Sequence, residues 1–365
     1  MQPRLQAPVY GKRILVLRLG AIGDVLRVLP AVRRLRRSLD DVSIGWAIES
    51  GAYPVVAGNP NVDRFHVIDR GALDGGVRRA LDEIRRVVGE IRVEDYDVVL
   101  DFHGRFKSGV LSWLTNVPQR VGFARADATE GNHLFNNVHV RLADTWENRV
   151  LRFLHLLAPL GLDTTYDPTD TGVYLNAEVR RLAVAWYESV GQPPVVAYPG
   201  TSTMRVRERW PVKKWVELLC RLGREGVRSA MFWGPAEAEL AAEIAEAAAP
   251  HCVLAPPTTL PEMMAMIGCF STYVGSDTAA MHMAWMQSVP TAVFAGPKPP
   301  RTAAPLAPVP CYVLRAEEHV RRGLPPRAQP AELVTAVPVG EAFEAVEQLL
   351  AANRARGFQR SAKDA

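Results

Sequence analysis

Asp24 closes the stretch Leu17-Arg18-Leu19-Gly20-Ala21-Ile22-Gly23-Asp24, where a β-branched run gives way to a helix. Glycines at such a turn let backbone approach a ligand, and the helix start offers unpaired N–H groups. The positive end of the helix dipole favours an ionised carboxylate there, whether as a functional acid or as an ordinary helix cap. The dinucleotide fingerprint GxGxxG is absent, because Arg18 stands two residues before Gly20. That argues against an NAD-dependent oxidoreductase, although Glu49, after the second strand, could mimic a ribose-binding acid.

Four further stretches carry chemistry. Asp101-Phe102-His103-Gly104-Arg105-Phe106-Lys107-Ser108 packs an acid, an imidazole, two cations and a hydroxyl into eight residues. It is read as a ligand loop or as a solvated loop capped by Ser108. Arg120-Val121-Gly122-Phe123, with Arg125, adds cations taken to lie on the same side. Tyr198-Pro199-Gly200-Thr201-Ser202, followed by Arg205, Arg207 and Arg209, is suited to hold phosphate through backbone N–H groups and guanidinium forks. Trp210-Pro211 reads as the anchor of the next helix. Gly234-Pro235-Ala236-Glu237 ends in an acid that caps a helix or accepts bonds from ribose hydroxyls. Val274-Gly275-Ser276-Asp277-Thr278 opens a helix, on which His282 reads equally as a core histidine and as a ligand contact.

The elements that must position these residues alternate along the chain. Strand patterns fall at 13–17, 42–48, 64–68 and 97–101, then at 195–198, 229–233, 252–254, 272–274, 291–294 and 311–314. Amphipathic helical patterns lie at 25–39, 77–91, 148–160, 177–189, 212–224, 237–248 and 341–352. Alternation of this kind predicts parallel sheets covered on both faces, and each motif above lies at a strand's C-terminal end, where such sheets bind ligands. The polar stretch 163–172 divides the chain into an N-terminal domain, 1–170, and a C-terminal domain, 171–340. A last helix and frayed tail, 341–365, follow.

Composition fits a globular protein: 48% apolar, 22% charged, net charge +4. That charge is too mild for a dedicated nucleic-acid protein. Only six of the 43 basic residues are lysines, which suits phosphate and carboxylate binding as well as a GC-rich genome. Cys220, Cys252, Cys269 and Cys311 lack metal-ligand spacing, so no metal site is expected. With no signal peptide and no apolar run of membrane length, a cytoplasmic protein is expected, and a peripheral membrane contact remains compatible.

Taken together, the motifs resemble glycosyltransferase family 9, the ADP-heptose:lipopolysaccharide heptosyltransferases, over about residues 12–300. The likeness runs from ILVLRLGAIGDVLRVLPAVRRLR through DFHGRFKS, RVGF and PGTS…RWPVKKW to GSDTAAMHMAWMQSVPTAVFAGP. It implies a GT-B fold, two Rossmann-like α/β domains facing across a cleft, with the acceptor on the N-terminal one and the nucleotide-sugar on the C-terminal one. It implies Asp24 as general base in an inverting transfer, with Gly23, His103, Lys107 and Arg120 at the acceptor. Thr201, Ser202, Arg205, Arg207, Arg209, Glu237, Asp277, Thr278 and His282 would hold the donor. No cofactor beyond the ADP-sugar, and no obligatory metal, is implied. The partner would be an anionic glycolipid at the inner membrane surface; a secondary-metabolite or protein acceptor, or a non-catalytic nucleotide-binding homologue, are the alternatives. Where the family has Asp-Thr-Gly, this chain has Asp277-Thr278-Ala279, and Arg27-Val28 stands where a histidine often follows Gly-Asp-Val. Where the family has a lysine two residues before Trp-Pro, Glu208 stands here. Arg205, Arg207 or Arg209 would then serve the phosphates, with Arg207 or Arg209 expected to bear the role.

Overall fold

The computed structural model describes residues 13–355 other than 202 and 322. The chain divides into two compact units between Tyr174 and Leu175.

In the first unit the strands are β1 (Arg13–Leu17), β2 (Ser43–Glu49), β3 (Arg64–Ile68), β4 (Val98–Asp101), β5 (Gln119–Phe123) and β6 (Val138–Val140). The helices are α1 (Ile22–Ser38), α2 (Arg70–Asp74), α3 (Val77–Val93), α4 (Phe106–Leu114) and α5 (Arg149–His155). The strands form one parallel sheet in the order β3-β2-β1-β4-β5-β6. Leu17 of β1 is in register with Ala47 on one side and Asp101 on the other. Successive strands run outward from β1 through β2 to β3, and the chain then crosses back to β4. The switch point therefore lies between β1 and β4, where a crevice opens beyond the strand ends.

The second unit repeats the plan. Its strands are β7 (Val195–Tyr198), β8 (Ser229–Met231), β9 (Cys252–Leu254), β10 (Thr272–Ser276), β11 (Thr291–Phe294) and β12 (Cys311–Leu314). Its helices are α6 (Ala177–Ser189), α7 (Val212–Arg224), α8 (Ala238–Ala247), α9 (Leu260–Gly268), α10 (Ala279–Trp285), α11 (Glu332–Thr335) and α12 (Val339–Ala355). The parallel order β12-β11-β10-β7-β8-β9 puts the switch point between β7 and β10. The backbones come close there: a Cβ on Gly275 would lie 2.7 Å from the carbonyl oxygen of Tyr198.

Two strands lie outside the sequence patterns: residues 119–123, read only as a source of cations, form β5, and 138–140 form β6. The last helix is not an appendage. Ala342, Phe343, Val346, Leu349 and Leu350 of α12 join the core built on Trp215, Leu218 and Leu219 of α7, so the second unit extends through 355. The tail 356–365 lies outside the described residues. Among the described residues, no helix is long and apolar enough to cross a membrane.

Candidate active site

At the first switch point the chain leaves β1 through Arg18 and enters α1. Ala21 holds the N-cap position, so Asp24 in the first turn is not the cap, and Gly23 is buried beside it. The Asp24 carboxylate is gripped by three arginines. Its Oδ2 accepts from Arg18, and its Oδ1 accepts from Arg27 at 3.0 Å and from Arg149, at the start of α5, at 2.7 Å. Burial alone would push this acid up, but the guanidinium groups of Arg18, Arg27 and Arg149 outweigh it and hold the carboxyl far below the usual carboxylate range. Arg18 is fixed further by a 3.1 Å bond to the Phe102 carbonyl and by the face of the Phe153 ring.

Across the switch point, β4 ends in Asp101. Its carboxylate accepts from the backbone N–H groups of His103 and Gly104, from Ser108 and from Asn132. Asp101 therefore shapes the loop instead of facing a ligand. That loop presents His103, whose ring nitrogens are both buried without a hydrogen-bond partner. Burial, with Arg18, Lys107 and Arg105 nearby, pushes its pKa down to about 3, so the ring is neutral and each nitrogen remains available to a bound group. Lys107, in the first turn of α4, bonds Glu49 at 2.6 Å, and Arg70 approaches the other Glu49 oxygen at 3.3 Å. The carboxylate at the end of β2 thus sets two cations at the sheet edge.

Arg120 does not join this group. It starts β5, at the N-terminal end of the sheet, and its guanidinium is spent on the carbonyls of Val117 and Phe135. Its role is to tie the β5 entry to the turn before β6, and the acceptor-contact reading fails for it.

The second switch point gathers most of the expected donor residues. Beyond β7, Gly200 permits a close approach: a Cβ there would sit 2.9 Å from Cγ of Glu237. Glu237 lies at the end of the 3₁₀ turn Pro235–Glu237 and is buried. Its side chain makes no cap bond to α8 but pairs with Arg209 at 2.9 Å. Arg209 bonds Glu237 through Nη2 and keeps a buried Nε without a hydrogen-bond partner, and Arg207 is exposed. The partly exposed Arg205 lines one cavity with Asp277, Met281, Gly296 and Lys298 among others. Arg205 and Lys298 are the cations among the residues lining it. Glu208 approaches Arg205 at 3.7 Å, and burial raises its pKa. Thr201 spends its hydroxyl on the Arg205 carbonyl; Ser202 lies outside the described residues. Trp210 anchors the unit as expected, stacked on Phe294 at 4.6 Å and bonded to the Val337 carbonyl.

Asp277 follows β10, and Thr278 is the N-cap residue of α10. His282 is buried. Its Nδ1 accepts from the Trp285 indole at 2.8 Å, and since indole N–H only donates, the neutral ring carries its proton on Nε2. That nitrogen lies 3.5 Å from Asp277 Oδ1. His282 is thus a buried histidine that also stands beside the Asp277 carboxylate. Among the described residues, no group of three or more His, Cys, Asp or Glu side chains is placed to hold a metal ion.

Residues 84–321 match the family described as glycosyltransferase family 9 (heptosyltransferase). The chain belongs to glycosyltransferase family 9. Lipopolysaccharide heptosyltransferase 1 of Pseudomonas aeruginosa is 27% identical to it over 293 residues, 79% of each chain. Lipopolysaccharide heptosyltransferase 2 of Salmonella typhimurium is 24% identical over 307 residues, 81% of this chain and 86% of that one. In fold it matches the family 9 glycosyltransferase of Veillonella parvula, with a TM-score of 0.77 at 21% identity, covering 95% and 99% of the two chains. It also matches the E. coli heptosyltransferase WaaC solved with ADP-2-deoxy-2-fluoro heptose, with a TM-score of 0.72 at 20% identity, covering 92% and 99%. Each unit is a Rossmann-like α/β domain, as the GT-B fold expects, and the protein is a glycosyltransferase.

Within this family 9 enzyme, motif reading passed over Arg149 and Lys298, and it named Arg18, Arg27 and Glu49 without seeing that Arg18 and Arg27 bond Asp24 or that Glu49 bonds Lys107. Arg149 is 125 residues from Asp24 in sequence, and no local pattern announces such a pair. Lys298 carried a signal: it is one of only six lysines in an arginine-rich chain, and it lies in the loop that follows β11.

Proposed function

We propose that this enzyme transfers heptose, with inversion, from ADP-heptose to an anionic lipopolysaccharide inner-core acceptor. The observation that carries the reading is a division of labour: one switch point holds a carboxylate among arginines, the other a cation-lined cavity beside two acids. In the first unit Asp24 is the general base, with His103 and Lys107 toward the acceptor. In the second unit Arg205 and Lys298 take the diphosphate and Glu237 the ribose, while Asp277, oriented by His282, and Thr278 complete the donor side. The acceptor oxygen attacks the anomeric carbon as its proton passes to Asp24, and the bond to the diphosphate breaks opposite to it. Fixed cations meeting the charge that develops on departing ADP lower the barrier without any reorganisation during the step. The protein would work in the cytoplasm, touching the inner membrane only peripherally.

A nucleotide panel tests the donor. ADP and ADP-heptose at about 100 times Kd should stabilise the protein by about 2.7 kcal/mol, several degrees in Tm, while UDP-sugars and NAD should not. Heptose-free lipopolysaccharide core should then gain one heptose. Stabilisation by NAD alone, or by no nucleotide, sinks the reading.

Transfer should persist in excess EDTA, because Arg205 and Lys298 supply the charge that a metal would otherwise bring to the diphosphate. Modest stimulation by Mg²⁺ through the nucleotide is compatible. Abolition by chelator, restored by a stoichiometric ion, overturns this expectation.

A further inference from the structure

Both oxygens of Asp24 accept from arginines, Oδ1 from two and Oδ2 from one, and the three residues that hold them are not alike. Arg18 and Arg27 have side chains only 8% and 7% exposed. Arg18 is bonded to Phe102 and packed on Phe153, and Arg27 lies one turn along the same helix as Asp24. Neither can leave without exposing buried surface. Arg149 differs. Its side chain is 35% exposed, and it sits on the first residue of α5, capped by Asn148, at the end of a loop. Three guanidinium groups meet on the one Asp24 carboxylate, and the Asp101 side chain across the switch point is turned into its own loop. Guanidinium groups gathered in this way suit an anionic ligand.

Resting on the reading of Asp24 as base, we propose that Arg149 is a positioning residue that holds Asp24 Oδ1 in the free enzyme and exchanges it for an anionic group, carboxylate or phosphate, of the bound acceptor. With both Oδ1 lone pairs taken by Arg27 and Arg149, a hydroxyl could reach only the remaining lone pair on Oδ2, beside the buried Arg18, and the three guanidinium groups suppress the basicity of the carboxylate. When Arg149 turns to the acceptor's anion, Oδ1 keeps only Arg27 and faces the acceptor. The base is then released where the correct substrate is bound, and bound donor is protected from water until that moment. The proton balance is unchanged: Asp24 takes one proton from the attacking hydroxyl, or from water in the wasteful reaction, and ADP leaves.

The decisive measurement is hydrolysis of ADP-heptose with no acceptor present. Arg149→Gln should raise it about tenfold, because the restraint is gone while the base remains. The gain should vanish in the Asp24→Asn/Arg149→Gln double variant. The same Arg149→Gln should raise the KM for heptose-free lipopolysaccharide core about 10–150-fold, the worth of one charge-assisted hydrogen bond, with Arg149→Lys recovering part of it. Core stripped of phosphate and core with amidated carboxylates identify the group: the form lacking it should give parent and Arg149→Gln the same KM. If hydrolysis by Arg149→Gln stays at or below the parental rate, or its KM is parental, Arg149 merely pins α5 and the proposal fails. Should Arg149→Gln not fold, Arg149→Lys decides through its KM. Failure of the functional reading looks different: the parent itself would neither bind ADP nor transfer heptose.

Discussion

Asp24→Asn should lower kcat by about 10²–10⁴-fold, the usual worth of a positioned general base, while ADP binding in the other unit stays within about twofold. The amide keeps the shape and can still accept from Arg149 and Arg27, so the geometry of the first turn of α1 survives. It cannot take a proton from a hydroxyl. Stability should also fall, because Arg18 and Arg27, nearly buried, lose the counterion that balances them. Breaking a buried ion pair from one side costs about 3–5 kcal/mol, so activity is compared at a temperature where both proteins are folded. The pH dependence separates the two effects. The Asp24 carboxyl is held far below its ordinary range, so its contribution to folding is complete above about pH 4 and is lost as pH falls toward the folded value. The Tm gap between parent and variant should therefore be widest near neutrality and close in acid. Near-normal turnover in a folded Asp24→Asn would leave this carboxylate as the anchor of an arginine cluster and nothing more.

The parts of this molecule that sequence exposes are those with a local pattern. Amphipathic α3 and α7 show one apolar stripe each and are legible to within two residues. Helix α9 is not, since Met263–Gly268 are buried all round and leave no polar face to set a period. Strand β6 has three residues at the sheet edge, too few for any alternation, and β5 opens with the half-exposed Gln119 and Arg120. The same logic governs the site. Asp24, Lys107, Glu237 and Asp277 were legible because strand ends deliver them to one edge of a sheet. What each one touches was not, because Arg149 reaches Asp24, and Lys107 reaches Glu49, from distant segments. Arg120 was misplaced for a related reason. Counted as part of a loop it joins the cations, but as the second residue of a parallel strand it lies at the opposite end of the sheet.

Losing either Arg205 or Lys298 should weaken ADP binding about 10–150-fold, because a buried charge-assisted bond to phosphate is worth roughly 1.5–3 kcal/mol. These two cations line one cavity with Asp277, beyond the ends of β10 and β11. Arg207→Ala should bind ADP like the parent, since its side chain is exposed. Arg209→Ala should act through Glu237, which it bonds, and so should weaken ADP and adenosine alike. Arg205→Ala and Lys298→Ala should instead weaken ADP far more than adenosine, which carries no phosphate. The Glu208 carboxylate stands 3.7 Å from Arg205 and would lie only 2.7 Å from a Cβ on Gly296. A negative charge there opposes the diphosphate, so Glu208→Gln should tighten ADP a few-fold. Titrations of ADP and adenosine into the five single variants, by calorimetry, separate these cases. Parental ADP affinity in both Arg205→Ala and Lys298→Ala, with a loss in Arg207→Ala, would return the phosphate role to the outer arginine and remove the cavity from the donor site.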